Sequence, residues 1–452
     1  MRWLRGRRSG VLLPAAALCA DGRGMLGDPA RRFLGFLADA GFSCWQMLPV
    51  HPVDAYGSPY QALSVHAGDP RLIDESLPPF PGDRSGFEEF SARHAGWLHD
   101  FALFCAIRAA FGGQPWWEWP EPLRHRDPVM LEKFSAGHAE ELSAIAFGQY
   151  RFFSQWAKMR RHAAALGIML VGDLPLFAAL DSADVWARRD CFRLDASGRP
   201  EAVAGVPPDY FSATGQRWGN PLYDWERMRE QRFEWWVERM QTELDLFDAL
   251  RLDHFRGLES TWEIPADHAT AEHGQWRPVP GRELLMALRS RFGRLPLIAE
   301  DLGLITPEVE RLRRSLRLPG MKVLQFAFDG GAGNPYLPHN HEPAFVVYTG
   351  THDNNTSVGW FEGLDHAARA RVYEYLGRPQ DPMPWPLITA ALASVCRLAV
   401  IPVQDLLGLG AEHRTNTPGT TEGNWRWRLD LDSLTPELTA RLRHLNALYG
   451  RN

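Results

Sequence analysis

Eight short apolar runs, separated by segments with helical periodicity, limit the folds open to this chain of 452 residues. Each run is long enough for one buried strand, and buried strands without polar alternation are typical of parallel sheets covered by helices. The runs lie at residues 10–13, 44–48, 168–172, 249–252, 295–299, 321–326, 344–348 and 398–403. We therefore predict an α/β fold, a (β/α)8 TIM barrel of eight parallel strands.

Two long segments interrupt the alternation of strands and helices. Residues 49–146 are rich in Pro, Gly and aromatic residues, and residues 181–225 contain Pro207, Pro208, Gly215 and Gly219. We predict that both are subdomains inserted between strands at the C-terminal face of a single catalytic domain spanning residues 1–452. Between the strands, helices are predicted at residues 29–40, 149–166, 225–244, 282–292 and 306–316, with helical pieces in 87–111.

Charge and cysteine content exclude several kinds of partner. The formal net charge is −6 and no long cluster of Lys and Arg is present, so nucleic acid is not an expected partner. The five cysteines are scattered and never occur as Cys-x-x-Cys, which indicates reduced thiols without a zinc site or a disulfide framework. No calcium-loop spacing is present either, so we expect neither a metal nor an organic cofactor.

The N-terminus imitates a secretory signal because a basic segment, residues 2–8, precedes an apolar one, residues 11–20. Pro14 interrupts the apolar segment, and residues 10–13 serve well as a first barrel strand. No apolar run approaches the ~20 residues needed to span a membrane. We therefore expect a cytoplasmic protein without a membrane partner.

Three of the apolar runs lead into a carboxylate, namely Asp253, Glu300 and Asp353. In a parallel barrel, the ends of several strands each contribute one group to the site. Glycosyl transfer requires an ionised nucleophile, a protonated acid and negative charge near an oxocarbenium-like transition state. A single acid at a strand end usually caps a helix or pairs with arginine, but three together favour an acidic active site.

Two of these acids are expected to differ in protonation. Arg251 lies two residues before Asp253, so strand alternation places both side chains on one face, where Arg251 can hold Asp253 ionised. Glu300 follows the apolar residues 297–299, an environment that raises a carboxyl pKa enough to retain a proton. The sequence therefore predicts a nucleophile and an acid at neighbouring positions.

Several runs of residues resemble those of one family. The most specific is residues 205–223, GVPPDYFSATGQRWGNPLY, and it is supported by residues 45–49, 58–61, 172–175, 181–186 and 416–420. From about residue 10 to 429 the chain resembles the amylomaltases, the 4-alpha-glucanotransferases of glycoside hydrolase family 77. The resemblance implies transfer of an alpha-1,4-glucan segment to the 4-position of an acceptor glucan or glucose. It also implies retained configuration and a covalent glycosyl-enzyme.

The resemblance also implies roles for individual residues. Asp253 would be the nucleophile, Glu300 the general acid/base and Asp353 the stabiliser of the transition state. Eight further residues would bind maltooligosaccharide donors and acceptors, with residues 205–223 forming a loop over the cleft. These are Arg251, His352, Tyr60, Asp173, Asp209, Tyr210, Gln216 and Trp218. One departure is the first βα loop, where residues 14–19 read PAAALC in place of the family's polar His-Pro-Thr-Ser-Leu-Pro.

Three alternatives stay open from the residues alone. A retaining hydrolase would use the same acids with water as the acceptor, and would differ in how well the acceptor site excludes water. A catalytically silent glucan-binding protein would have lost at least one of the three acids. A metal-dependent hydrolase could use Asp253, His254, His352 and Asp353 as ligands, but no His-x-x-x-His motif accompanies them.

Overall fold

Eight strands form one parallel sheet in the computed structural model, which describes residues 6–19, 24–54, 57–77, 84–208, 212–420 and 422–451. In chain order the strands of the described ranges are β1 (Arg8–Leu12), β2 (Cys44–Gln46), β3 (Met169–Leu174), β4 (Ala202–Val206), β5 (Gln216–Pro221), β6 (Ala249–Leu252), β7 (Ser260–Pro265), β8 (Gln275–Pro278), β9 (Leu297–Ala299), β10 (Gly320–Val323), β11 (Phe345–Tyr348) and β12 (Leu398–Pro402). The order in the parallel sheet is β10-β11-β12-β1-β2-β3-β6-β9, and the four other strands pair antiparallel in the order β5-β4-β7-β8.

The parallel sheet is nearly closed into a barrel. Where β9 and β10 meet, the Ala299 N–H donates to the Pro319 carbonyl at 2.8 Å and the Met321 N–H donates to the Asp301 carboxylate at 2.7 Å. Alternate strand residues such as Val171 and Ile298 fill the barrel interior. The prediction of a TIM barrel is confirmed, and each predicted strand corresponds to one strand of the barrel.

Helices such as α6, α9 and α14 cover the outside of the barrel, where their apolar residues pack against the outward residues of the strands. In chain order the helices of the described ranges are α1 (Asp28–Asp39), α2 (Arg84–Arg93), α3 (Leu98–Ala110), α4 (Glu121–Arg124), α5 (Pro128–Gly137), α6 (Ala139–Ala165), α7 (Ala183–Ala187), α8 (Trp225–Glu230), α9 (Glu234–Leu246), α10 (Gly281–Phe292), α11 (Pro307–Ser315), α12 (Ser357–Gly363), α13 (His366–Tyr375), α14 (Trp385–Ala393), α15 (Val403–Leu406) and α16 (Pro436–Leu448). In these described parts of the chain, none of the helices is both long and apolar enough to cross a lipid bilayer.

Two predicted helices have different bounds in the structure. The helix expected at 149–166 begins earlier, at Ala139. The helix expected at 225–244 is two helices, because Arg232 and Phe233 adopt left-handed backbone angles and the Phe233 N–H donates to the Met228 carbonyl. Helical periodicity continues on both sides of this break, so the apolar pattern did not reveal it.

The prediction of a loop at residues 205–223 is wrong in part, because β4 and β5 form an antiparallel pair there. The Pro and Gly residues mark the connection between the two strands rather than the whole run. Gly205 is required by this pairing, since a Cβ there would lie 2.2 Å from the Gln216 carbonyl oxygen. Residues 209–211, within the connection, lie outside the described residues.

A buried ion pair joins the segment after β2 to α9. The His51 Nε2 lies 2.9 Å from Glu243 Oε1, its Nδ1 lies 2.8 Å from the Ala67 carbonyl, and both charged side chains are almost fully buried. Because both ring nitrogens face acceptors, His51 must carry two protons. Burial alone lowers the pKa of His51, but the Glu243 carboxylate more than reverses this and raises it above 6.5.

This pair predicts a pH-dependent stability. Since the folded-state pKa of His51 is raised, its contribution is fully present below about pH 6.5 and is lost as the pH rises through that raised pKa. We expect Glu243→Gln to destabilise the protein by on the order of 3 kcal/mol at pH 6 and by less at pH 9. Thermal melts at both pH values measure this. Glu238→Gln, on the exposed face of α9, is the matched control, and an equal loss for Glu243→Gln at both pH values would contradict the prediction.

Candidate active site

Side chains alternate along a strand, so the polar residues that continue the inward-facing positions of a barrel strand lie at the C-terminal mouth of the barrel. Ala249 points into the barrel, so Arg251 and then Asp253 point inward above it. On the neighbouring strand, Ile298 points inward and Glu300 follows it in the same phase. Leu252 and Ala299 are register partners in the β6–β9 pair, so Asp253 and Glu300 occupy adjacent positions just beyond the strand ends.

Arg251 links two carboxylates at this mouth. Its Nη1 donates to both oxygens of Asp173 at 2.7 and 2.8 Å, and its Nη2 forms an ion pair with Asp253 Oδ1 at 2.9 Å. The Arg251 and Asp173 side chains are 4% and 0% exposed, whereas that of Asp253 is 28% exposed. Asp253 is therefore the member of this group that faces the cleft, and the predicted pairing with Arg251 is confirmed.

The charges of this group depend on one another. Burial alone lowers the pKa of Arg251, but Asp173 and then Asp253 raise it well above its ordinary range. Burial raises the pKa of Asp173, and Arg251 opposes that rise. The guanidinium therefore stays charged, and its charge favours the ionised form of each carboxylate it contacts.

Tyr60 and His352 extend the network across the mouth. The Tyr60 hydroxyl donates to Asp173 Oδ2 at 2.7 Å and lies 2.8 Å from His352 Nε2. Burial and the Asp173 charge raise the pKa of Tyr60 well above its ordinary value, so the phenol keeps its proton. Because that proton is directed to Asp173, His352 Nε2 carries a hydrogen and donates to Tyr60. The two rings stack with centroids 5.5 Å apart and an interplanar angle of 16°.

Glu300 has a different environment from Asp253. Its Oε2 accepts the His254 N–H at 2.8 Å and its Oε1 accepts the Leu302 N–H at 3.0 Å. Burial raises the pKa of Glu300 to about 8; Asp253 adds to the rise, while Arg251 and the two N–H donors oppose it. At neutral pH the carboxyl is therefore mainly protonated, as expected from the apolar residues before it.

His254 places its N–H toward Glu300 because its backbone is left-handed, with φ of 51°. Its ring stands edge-on to Trp218, with centroids 4.8 Å apart and planes at 87°. Burial lowers the pKa of His254 to about 4, so the imidazole is neutral. Gln216 Oε1 accepts the Trp218 indole N–H at 3.2 Å. Trp218 therefore lies beside His254, the residue whose N–H contacts Glu300, and Gln216 orients the indole.

Asp353 is held by a distant part of the chain. Asn416 Nδ2 donates to Asp353 Oδ1 at 2.6 Å, Arg414 Nη2 donates to the Asp353 carbonyl at 2.7 Å, and His352 Nε2 lies 3.4 Å from Oδ2. The carboxylate is 44% exposed. Trp425 adds an indole with its centroid 5.9 Å from that of Tyr60. No local pattern pointed to a role for Arg414, Asn416 or Trp425, although Asn416 begins one of the runs that resemble the family.

The structure thus brings most of the predicted residues to one barrel mouth. Asp209 and Tyr210 lie outside the described residues. Within the described ranges, no group of three or more His, Cys, Asp or Glu residues is arranged to hold a metal ion. The unusual first βα loop forms a short 3-10 turn, Ala15–Leu18, that buries Ala15, Ala17 and Leu18 in the core. That turn therefore directs methyl groups inward instead of polar groups toward the cleft.

Known proteins are similar to this chain in sequence and in fold. A profile of glycoside hydrolase family 77, described as 4-alpha-glucanotransferase, matches residues 13–80 and 76–433. The 4-alpha-glucanotransferase of Thermus thermophilus is 46% identical over 488 residues, covering 97% of each chain. That of Synechocystis sp. is 42% identical over 495 residues, covering 98% of each. A solved amylomaltase from Streptococcus agalactiae, in complex with acarbose, has a TM-score of 0.95 at 34% identity, covering 99% of this chain and 100% of its own.

The environment of Glu300 predicts a measurable titration. We expect its carboxyl, observed by 13C NMR with Glu300→Gln as the assignment control, to titrate with a midpoint of about 8. Asp253→Asn should lower that midpoint, because the negative charge of Asp253 disfavours a second charge nearby. A midpoint near the ordinary value of 4.5 in the unaltered protein would contradict the assignment of Glu300 as the protonated acid.

Proposed function

The chain belongs to the 4-alpha-glucanotransferases of glycoside hydrolase family 77, and from this premise we propose roles for Asp253, Glu300 and Asp353 in its retaining mechanism. Asp253 is the nucleophile, Glu300 the general acid and base, and Asp353 the stabiliser of the transition state. The observation that carries this proposal is the contrast between two neighbouring carboxyl groups. Asp253 pairs with Arg251, whereas burial raises the pKa of Glu300 to about 8.

The first step breaks the glycosidic bond of the donor glucan. An Asp253 oxygen attacks the anomeric carbon, the bond to the departing O4 breaks, and the Glu300 proton passes to that oxygen. The departing chain leaves with a new 4-hydroxyl, and the donor sugar stays on Asp253 as an ester. Ionised Asp253 and protonated Glu300 are the forms that this step requires.

The second step transfers the sugar to an acceptor. Glu300, now a carboxylate, removes the proton from the acceptor 4-hydroxyl as its oxygen attacks the anomeric carbon, and the bond to Asp253 breaks. Two displacements at one carbon restore the original configuration. Adjacent strands lie ~4.8 Å apart, so acids in register at neighbouring strand ends suit the ~5 Å separation of a retaining pair.

Asp353 and its neighbours act on the sugar that reacts. The half-exposed Asp353 carboxylate is fixed by Asn416, so it can accept hydrogen bonds from a pair of sugar hydroxyls that strengthen as the ring flattens. The stacked rings of His352 and Tyr60 line the same side of the sugar, where Tyr60 provides a flat face. Fully buried Asp173 acts by holding Arg251 and Tyr60 in place.

The acceptor side of the cleft is assigned to residues of the connection between β4 and β5 and of β5 itself. Trp218 provides an aromatic face beside His254, and Gln216, Asp209 and Tyr210 complete the predicted glucan contacts. The Streptococcus agalactiae amylomaltase complex with acarbose supports the binding of alpha-glucans by this chain. We further propose that residues 1–452 form one catalytic domain and that the protein acts in the cytoplasm.

Maltotriose alone tests the transfer reaction. Because one molecule serves as donor and another as acceptor, we expect longer maltooligosaccharides together with glucose, while the number of reducing ends stays nearly constant. Chromatography of the products and a reducing-sugar assay on the same samples measure both quantities. Steady growth in reducing ends without longer products would instead show that water is the acceptor and that the acceptor site does not exclude it.

Asp253→Asn tests the nucleophile. The substitution keeps the shape of the side chain but removes the attacking carboxylate, so we expect transfer from maltotriose to fall by at least about 10⁴-fold with the fold intact. Asp267→Asn, on the exposed segment after β7, is the matched control and should retain full activity. Near-normal transfer by Asp253→Asn would refute the assignment.

A further inference from the structure

The antiparallel sheet contacts the surroundings of Glu300 at two separate points. On β5, Trp218 packs against the ring of His254, whose N–H donates to the Glu300 carboxyl. On β8, the ring of Trp276 carries the guanidinium of Arg256, with 3.8 Å between the guanidinium carbon and the ring centroid. Arg256 and Trp276, which form the second contact, have no role in the mechanism above.

Arg256 joins this sheet to the loop that bears the acid. It lies in the short 3-10 turn Phe255–Leu258 that follows β6, and its Nη1 donates to the Leu304 carbonyl. The side chain is buried, and it forms no direct ion pair with any residue in the described ranges. Burial lowers the pKa of Arg256, and the charge of Glu259, acting without a direct contact, opposes this only in part. A buried cation without a carboxylate in contact is costly, so the bond to Leu304 and the stacking on Trp276 are its main direct compensation in the structure.

The loop receiving this bond is held at its start, where Asp301 pairs with Arg313 and Leu302 packs against the barrel interior, but it is exposed further on. Leu304 exposes 65% of its surface, and Gly303 before it adopts a left-handed φ of 78°. Leu304 lies four residues after Glu300, and the Leu302 N–H between them donates to Glu300 Oε1. A shift of this loop would therefore move a donor of the acid, whose own N–H is bonded to the Leu252 carbonyl.

We propose that Arg256 is a positioning residue for the general acid/base: by joining Trp276 to the Leu304 carbonyl, it fixes the loop that holds Glu300 within reach of the glycosidic oxygen. The inference rests on the proposed role of Glu300. Through Trp276, the edge strand β8 of the antiparallel sheet thereby supports the position of a catalytic group. Misplacement of a catalytic group by ~1 Å can cost about 100-fold in rate, so a tether of this kind has a measurable effect.

A glycosyl fluoride separates this role from a general loss of structure. When Asp253 attacks α-maltotriosyl fluoride, the carbon–fluorine bond breaks and fluoride leaves as an anion, so no proton from Glu300 is needed. Transfer from maltotriose needs that proton. Azide, an anionic acceptor, attacks the glycosyl-enzyme without a general base and gives α-maltotriosyl azide. A variant with a displaced acid therefore keeps the first fluoride release and loses transfer from maltotriose, and azide restores its repeated turnover of the fluoride but not its transfer from maltotriose.

The experiment compares the first-turnover release of fluoride with the transfer rate from maltotriose, and measures the steady-state release of fluoride with and without azide. Glu300→Ala is the reference, and we expect it to keep fluoride release within about tenfold while transfer falls at least about 10³-fold. Arg256→Leu and Trp276→Ala should show the same pattern with smaller losses of transfer, about 10- to 100-fold. Arg256→Lys should recover part of the loss. Arg277→Leu, an exposed arginine beside Trp276 on β8, is the matched control and should be unchanged.

The possible results distinguish a failure of the proposed role of Arg256 from a failure of the proposed role of Glu300. Suppose that Glu300→Ala behaves as expected but Arg256→Leu lowers fluoride release and transfer equally, or lowers neither. Arg256 then has no positioning role, while the proposed role of Glu300 stands. If Glu300→Ala loses fluoride release as fully as transfer, or retains transfer, both proposals are overturned. Should Arg256→Leu fail to fold, Arg256→Lys and Trp276→Phe are judged by the same ratio of the two rates.

Discussion

Arg251 places a positive charge inside the mouth of the barrel, and the arrangement of the site follows from how that charge is neutralised. A buried cation is tolerated only where opposite charge and hydrogen bonds replace its lost hydration. Asp173 supplies both with its two oxygens, which leaves the other end of the guanidinium for Asp253. Tyr60 then completes the hydrogen bonds of Asp173, and His352 those of Tyr60. Positions on three barrel strands and one insertion are thereby fixed together.

Glu300 differs from Asp253 although the two lie in register on neighbouring strands. Its carboxyl oxygens accept two backbone N–H donors, which carry no full charge, and it forms no ion pair among the described residues. Burial therefore outweighs the charge of Arg251, and the pKa of Glu300 rises to about 8. Because Asp253 forms an ion pair with Arg251 and Glu300 forms none, one barrel mouth holds two carboxyl groups in different protonation environments.

Local patterns were enough to predict the barrel and its acids. Every barrel strand is a short apolar run, and the spacing of two between Arg251 and Asp253 placed them on one face. The antiparallel sheet was not predicted, because turn residues dominate residues 205–223 and conceal the pairing of β4 with β5. Asn416 lies 63 residues from the Asp353 it holds, and no local pattern reports such a contact. The left-handed backbone of His254 likewise depends on the surrounding fold rather than on residue type.

The barrel and its insertions therefore contribute different kinds of order to the site. Strand register alone brings Asp253 and Glu300 to adjacent positions, since hydrogen bonds between β6 and β9 fix the last residues before both acids. Beyond the strand ends the backbone is still bonded for one residue, since the Asp253 N–H donates to the Leu174 carbonyl and the Glu300 N–H donates to the Leu252 carbonyl. The side chains there depend on further contacts, which come for Asp353 from the segment after β12 and for Glu300 from the N–H groups of His254 and Leu302. Asp353 therefore needs a segment outside the barrel strands to fix it, whereas Asp253 is held by the barrel's own Arg251.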